Sequence, residues 1–198
     1  MIPAYIISLA YTKVSTVQGR NNKEHAEKRI HRVESTARSF GWNIQPFSAV
    51  DGYSLDPSTL TQDLTPGELG CALSHLRLWK LCQSQNTPMI VLEDDVQIIA
   101  ECTIPHTEYE LLKLHPARKI TGKSLLRKHK MSGVWGPGAY AYYLTPSAAD
   151  KLINWIDSHG LLQTDRTIGS NVINYGHVDH ALIRLIPHSH SSTRVNGH

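Results

Sequence analysis

The chain has 198 residues, 40% hydrophobic and 19% charged, and a formal net charge of +3. This is globular composition for one domain, able to bury about 70% of the surface its unfolded chain exposes, and it excludes a disordered or fibrous protein. No apolar run approaches the ~20 residues that cross a bilayer, the N-terminus reads as lacking a signal peptide, and the net charge is too small to imply a nucleic-acid binder.

Residues 3–10, Pro3 to Ala10, read as a short buried strand, apolar and partly β-branched. Residues 22–40 space Ala26, Ile30, Val33, Ala37 and Phe40 as one helical stripe, with Asn21 or Asn22 as the cap and Gly41 as the stop. Ile44 to Val50 reads as a second strand, ended by Asp51-Gly52. Thr65-Pro66-Gly67-Glu68 then opens the clearest helix, with a cap, a proline at the first helical position and a Glu three residues after the cap. Leu69, Leu73, Leu76 and Lys80 line one side of it, and Cys71, Leu78 and Cys82 extend the apolar surface, so both faces are expected to be covered.

Pro88 to Leu92 is a continuous apolar strand of the kind found inside a parallel sheet, and it runs into Glu93-Asp94-Asp95. Residues 105–130 are polar, basic and weakly periodic. A glycine-rich turn, Gly133 to Gly138, precedes an aromatic strand from Ala139 to Leu144. Pro146 opens a helix with Ala149, Leu152, Ile153 and Ile156 on one stripe, and Ala181 to Ile186 reads as a last strand. Strands alternating with helices predict an α/β sheet. The three cysteines, Cys71, Cys82 and Cys102, form no CxxC, which argues against a disulfide framework or zinc knuckle and for a reducing compartment.

Charge is unevenly spread. Residues 1–110 carry nine basic and thirteen acidic groups, whereas residues 111–149 carry seven basic groups and no acid. The densest acidic point is Glu93-Asp94-Asp95. Three adjacent carboxylates at the end of a buried strand repel one another, and a hard divalent cation relieves that repulsion. Glu93 and Asp95 stand at i and i+2 of an extended segment and point the same way. A solvated acidic turn is the competing reading. Glu68, Cys71 and His75 share one face of the second helix, where Glu68 is either a site group or simply half of a capping box. Asp179, just before the last strand, is a candidate general base or an ordinary turn residue. The pairs His177/His180 and His188/His190 have no third ligand at zinc spacing. No P-loop, GxSxG or GxGxxG pattern occurs.

In combination these segments resemble glycosyltransferase family 25, the lipooligosaccharide β-galactosyltransferases of bacteria and collagen galactosyltransferases of animals. Tyr5 to Leu9 is similar to the family's first strand, and Phe47 to Gly52 to its F-x-A-V-D-G segment. Gly67-Glu68-Leu69-Gly70-Cys71-Ala72-Leu73-Ser74-His75 matches G-E-x-G-C-x-x-S-H at every fixed position, and Leu92-Glu93-Asp94-Asp95 matches L-E-D-D. Gly138 to Tyr142 and Val178-Asp179 resemble two later blocks. Ser8-Leu9-Ala10 stands where the family usually has Asn-Leu-Asp.

The resemblance implies a GT-A-type fold, a Rossmann-like, mostly parallel sheet flanked by helices, as one domain over residues 1–198. It further implies an inverting transfer of a hexose, galactose first, from a UDP-sugar to a lipooligosaccharide-type glycan acceptor. Mn²⁺ or Mg²⁺ is the implied cofactor. Glu93 and Asp95, with His190 or His188, are the implied metal ligands. Ser8, Leu9, Ser74, His75, Asp94, Gly138 and Tyr142 are the implied donor-binding residues, and Asp179, then Glu68, the implied base. The acid-free segment is expected to face acceptor phosphates or the anionic inner leaflet, which places the protein in the cytoplasm or peripherally at that membrane. A metal-dependent phosphohydrolase and a degenerate, non-catalytic glycan- or anion-binding module are the alternatives.

Overall fold

The computed structural model describes residues 2–13, 17–56, 64–104, 108–116 and 138–186. A six-stranded sheet forms its centre. The strands are β1 (Ala4–Ser8), β2 (Ile44–Ser48), β3 (Met89–Glu93), β5 (Leu111–Lys113), β6 (Ala141–Leu144) and β7 (Tyr175–His177), in the order β2-β1-β3-β6-β5-β7. β1 pairs in parallel with β2 and β3, and β5 with β7, while β6 runs antiparallel to both of its neighbours. The carboxyl ends of five strands therefore share one edge of the sheet. A separate two-stranded sheet joins β4 (Val96–Ile98) to β8 (Ile183–Leu185).

Side chains alternate across each strand, and the alternation builds two cores. Tyr5, Ile7, Met89, Val91, Tyr142 and Leu144 pack beneath α2 (Pro66–Gln85) and α3 (Pro146–His159). Ala4, Ile6, Ile90, Leu92 and Ala141 pack against α1 (Val17–Ser39) and the small sheet. A short helix, α4 (Thr164–Ile168), follows α3. The expected mostly parallel sheet flanked by helices is thus present.

Local chemistry accounts for the boundaries. Thr65 and Glu68 form a capping box in which the Thr65 hydroxyl accepts from the Glu68 N–H and Glu68 Oε2 accepts from the Thr65 N–H at 2.9 Å. Thr145 caps α3 ahead of Pro146. Pro46 is tolerated because β2 is an edge strand. α1 begins at Val17, ahead of the expected start, so Asn21 and Asn22 lie inside it rather than at its cap. On α2, Lys80 is exposed and Leu73 and Leu76 are only half-buried, because the inward face runs through Ala72, His75, Leu78, Trp79 and Cys82. The last strand, β8, is shorter than expected and joins β4 rather than the main sheet.

One close approach positions the cleft. The 3-10 turn Gly52–Ser54 lies directly against the start of α2. A Cβ on Gly52 would fall 1.6 Å from the Pro66 carbonyl oxygen, and one on Gly70 would fall 2.6 Å from the Val50 carbonyl oxygen. Ser74, fully enclosed, accepts a hydrogen bond from the Val50 N–H at 2.8 Å and donates to the Gly70 carbonyl at 2.6 Å. Gly70→Ala should therefore push the two backbones apart, at a cost of about 1–3 kcal/mol. A thermal melt should show a midpoint several degrees lower; an unchanged midpoint would contradict the close packing.

Candidate active site

The cleft opens at the carboxyl ends of β1, β2 and β3 and is lined by Ser8, Leu9, Arg29, Asp51, Cys71, Glu93, Asp94 and Asp95 among others. This is the edge at which α/β sheets take ligands. Strand parity sends the three acidic residues in different directions.

Glu93 continues the Met89–Val91 face and meets α2. Its Oε1 lies 3.1 Å from His75 Nε2 and 3.7 Å from Cys71 Sγ. Behind it, His75 Nδ1 lies 2.7 Å from the Tyr142 hydroxyl, which accepts from Trp79 Nε1 at 2.8 Å. Trp79 can only donate and a carboxylate can only accept. One proton arrangement satisfies all four groups: Tyr142 donates to Nδ1, and Nε2–H donates to Glu93. His75 and Tyr142 are both fully enclosed.

Asp94 continues the opposite face and meets α1. It accepts from Ser8 Oγ at 2.6 Å and from Arg29 Nε at 2.8 Å, in an ion pair almost closed to solvent. Burial pushes its carboxyl above the ordinary value, and Arg29 and Ser8 pull against that rise. Ser8 Oγ also accepts from the Ala10 N–H and so turns the chain after β1.

Asp95 is held less well: the Arg29 charge and a backbone hydrogen bond only partly offset its burial. Its Oδ1 is buried without a hydrogen-bond partner. Burial, then the charges of Glu93 and Asp94, push its carboxyl from 3.8 up to about 7. The Ile186 N–H donates to the Asp95 carbonyl at 2.9 Å, so β8 returns the chain to this residue.

Two carboxylates outside the sequence expectation share this neighbourhood. Asp51 lines the cleft with Oδ1 on the Tyr53 N–H and Oδ2 buried without a partner. Asp165, at the start of α4, accepts from the Ala139 N–H, and its Oδ1 is also buried without a partner. Burial raises its carboxyl, Lys113 lowers it, and the charge of Glu93 raises it further. Its neighbour Thr164 approaches Cys71 Sγ at 3.7 Å. A Thr-Asp pair opening a five-residue helix left no periodic signal.

The expected site residues separate accordingly. Ser8, Leu9, Asp94, Glu93 and Asp95 converge on the cleft. Ser74 and His75 also line it, without exposed surface of their own, and Tyr142, equally enclosed, lies behind His75; the three brace the cleft wall and Glu93. Glu68 is engaged by its cap, by the Thr65 hydroxyl at 2.9 Å and by Gln163. Asp179 is exposed beyond β7, three strands from β3 or roughly 14 Å across the sheet. Gly138 sits at positive φ (+30°) beneath the Tyr140 ring, beside the Ala139 that holds Asp165. His188 and His190 lie outside the described residues, as does most of the basic segment; Lys113, its described cation, is buried in β5. Cys71, Cys82 and Cys102 are free thiols. No helix among the described residues is long and apolar enough to cross a membrane.

A family model described as glycosyltransferase family 25 (LPS biosynthesis protein) matches residues 1–128. A glycosyltransferase 25 family member of Drosophila pseudoobscura pseudoobscura is 28% identical over a 93-residue alignment that covers 38% of this chain and 15% of the relative, so the match spans a small part of that protein's length. Among solved structures, a glycosyltransferase involved in glycosylation of the major capsid of PBCV-1 overlaps with a TM-score of 0.47 at 10% identity, over 92% of both chains. The apo-form glycosyltransferase GlyE of Streptococcus pneumoniae overlaps with a TM-score of 0.45 at 8% identity, over 90% of this chain and 45% of that one.

Asp95 holds its proton more tightly in the folded chain than in the unfolded one, so its ionisation opposes folding. Between about pH 4 and pH 7 the stability of the metal-free chain should fall as pH rises through this group. Asp95→Asn removes the effect. Its urea midpoint should exceed wild type at pH 8 and converge on it near pH 4; parallel pH profiles would contradict the assignment.

Proposed function

The chain belongs to glycosyltransferase family 25, and from that membership we propose that it is a glycosyltransferase of the GT-A type. It moves a hexose, galactose in the first instance, from a UDP-sugar to a hydroxyl of a glycan acceptor of the lipooligosaccharide class. The observation that carries the reading is the set of carboxylates at the strand ends: one anchored on each face of the sheet and a third, Asp95, left with a buried unpartnered oxygen.

That orphaned oxygen fits a hard divalent cation, which takes carboxylate oxygens and leaves positions for phosphate. Glu93 and Asp95 would hold it, with His188 or His190 drawn from the chain that continues past Ile186. Bound Mn²⁺ or Mg²⁺ supplies Lewis-acid neutralisation of the departing diphosphate. Asp94 has a different duty. With Ser8 and Arg29 it fixes the turn after β1, against which the nucleotide lies, and Asp51 Oδ2 accepts from a donor hydroxyl.

The base is the main change from the sequence expectation. Inversion needs a carboxylate that takes the acceptor hydroxyl proton as its oxygen attacks the sugar C1 and the UDP oxygen leaves. Asp165 supports this role better than Asp179 or Glu68. Its carboxyl is raised by burial and by the charge of Glu93 and keeps one oxygen without a partner, whereas Asp179 is solvated and Glu68 is engaged as a cap. The basic segment 111–149 remains the proposed partner of a lipid-linked or phosphorylated acceptor, at the inner face of a membrane.

Purified protein assayed with UDP-Gal, UDP-Glc, UDP-GlcNAc and UDP-GalNAc, Mn²⁺ or Mg²⁺, and lactosyl or heptosyl acceptors should show transfer that EDTA abolishes. Hydrolysis to free sugar without transfer, or undiminished turnover in EDTA, would contradict the reading. Asp165→Asn should lower kcat by about 10²–10⁴-fold, the usual contribution of a general base, and leave metal-dependent UDP binding intact. Asp179→Asn should change kcat little; the opposite ranking would restore Asp179 as the base.

A further inference from the structure

We propose that Cys71, His75 and Glu93 form a second cation site in the cleft wall, selective for a borderline-soft ion of the Zn²⁺ class and sharing Glu93 with the hard-cation site. The three side chains bring one sulfur, one nitrogen and one oxygen donor within 4.8 Å of one another. Tetrahedral zinc, with bonds of ~2.0–2.1 Å to nitrogen and oxygen and ~2.3 Å to sulfur, spaces its donors about 3.3–3.6 Å apart. Here His75 Nε2 stands 3.1 Å and Cys71 Sγ 3.7 Å from Glu93 Oε1. Three protein ligands leave a fourth position, which faces the cleft and takes water.

The surroundings resemble the outer shell that metal-binding histidines carry. Such a histidine presents one nitrogen to the ion and has the other fixed by a hydrogen-bonding group, which sets tautomer and ring orientation. His75 Nδ1 is held by the Tyr142 hydroxyl at 2.7 Å, and that hydroxyl is itself held by Trp79 Nε1. Glu93 is the movable member, with about 29% of its side chain exposed to the cleft, and Cys71 is half-buried beside it. Thiolate and imidazole favour zinc over the hard ions that suit Glu93 and Asp95. On binding, the Cys71 thiol gives its proton to solvent and the thiolate sulfur joins the ion; the Nε2–H proton moves to Nδ1, and the Tyr142 hydroxyl, accepting from Nδ1 as well as from Trp79, turns its own proton away from both.

Sharing Glu93 makes the two ions competitors. With Zn²⁺ on Oε1, Glu93 is withdrawn from the hard cation, so zinc inhibits. The inhibition rests on the transferase reading, but the binding does not, and it is tested without donor or acceptor.

Metal-free protein titrated with Zn²⁺ against a chromophoric chelator should take up one tight equivalent. X-ray absorption of the zinc-loaded wild type should show one sulfur and three nitrogen or oxygen neighbours. Cys71→Ser should weaken binding at least tenfold, Tyr142→Phe by about 10–100-fold as for other outer-shell partners, and Cys102→Ser not at all. A sulfur-free shell, as histidines elsewhere in the chain would give, overturns the proposal. So does equal affinity in Cys71→Ser or the absence of a tight equivalent. Should the protein bind zinc as described yet transfer no sugar, the site stands and only the transferase reading falls.

Discussion

Three carboxylates in sequence at the end of a buried strand set the terms for the rest of this molecule. Left together they would repel and resist desolvation. The period of two along β3 separates the first two. Glu93 falls on the α2 face and meets an imidazole and a thiol, and Asp94 falls on the α1 face and meets a guanidinium and a hydroxyl. Asp95, at the turn, keeps one buried oxygen without a partner, and burial and its two acidic neighbours push its carboxyl up. The helices α2 and α1 thus each deliver a partner to the strand end.

The supporting parts follow from the same need. Arg29 rides on the buried stripe of α1, three residues after Ala26 and four before Val33, and so reaches Asp94 from beneath the helix. Its burial is sustained by the pair; removing one partner of a buried ion pair typically costs about 3–5 kcal/mol, because the other is left uncompensated. On the other face, Trp79 and Tyr142 spend their polar atoms on His75, which allows a histidine with no exposed surface to stay satisfied and to aim Nε2 at Glu93. The glycines at 52 and 70 let the Asp51 loop press onto α2, which closes the cleft opposite the carboxylates.

Much of this is legible in the sequence wherever one residue type has one local consequence. Thr65-Pro66-x-Glu68 announces a capped helix, and Glu93-Asp94-Asp95 after an apolar run announces a buried strand that ends in carboxylates. The motif G-E-x-G-C-x-x-S-H also has a readable physical basis once folded: Gly70 for the backbone approach, Ser74 for the Val50 clamp, Cys71 and His75 for Glu93. What stayed hidden depends on distant partners. β5 and β7 are three residues each, exist through pairing with β6 and with each other, and carry no period long enough to read. Asp165 gains its character from burial beside Lys113 and Glu93, residues far away in the chain. Arg29 left a weak trace, a cation at helical spacing within an apolar stripe. Glu68 and Asp179 show the converse, because motif membership does not say whether a carboxylate is free to act.

The central claim is the division of labour among the three acids, and it separates in one binding measurement. Mn²⁺-dependent UDP binding would be followed by calorimetry for wild type, Asp94→Asn and Asp95→Asn, beside thermal melts without metal. The account predicts that Asp95→Asn melts no lower than wild type yet loses Mn²⁺-dependent binding, whereas Asp94→Asn melts lower because Arg29 loses its counter-charge. Wild-type Mn²⁺-dependent binding by Asp95→Asn would contradict it.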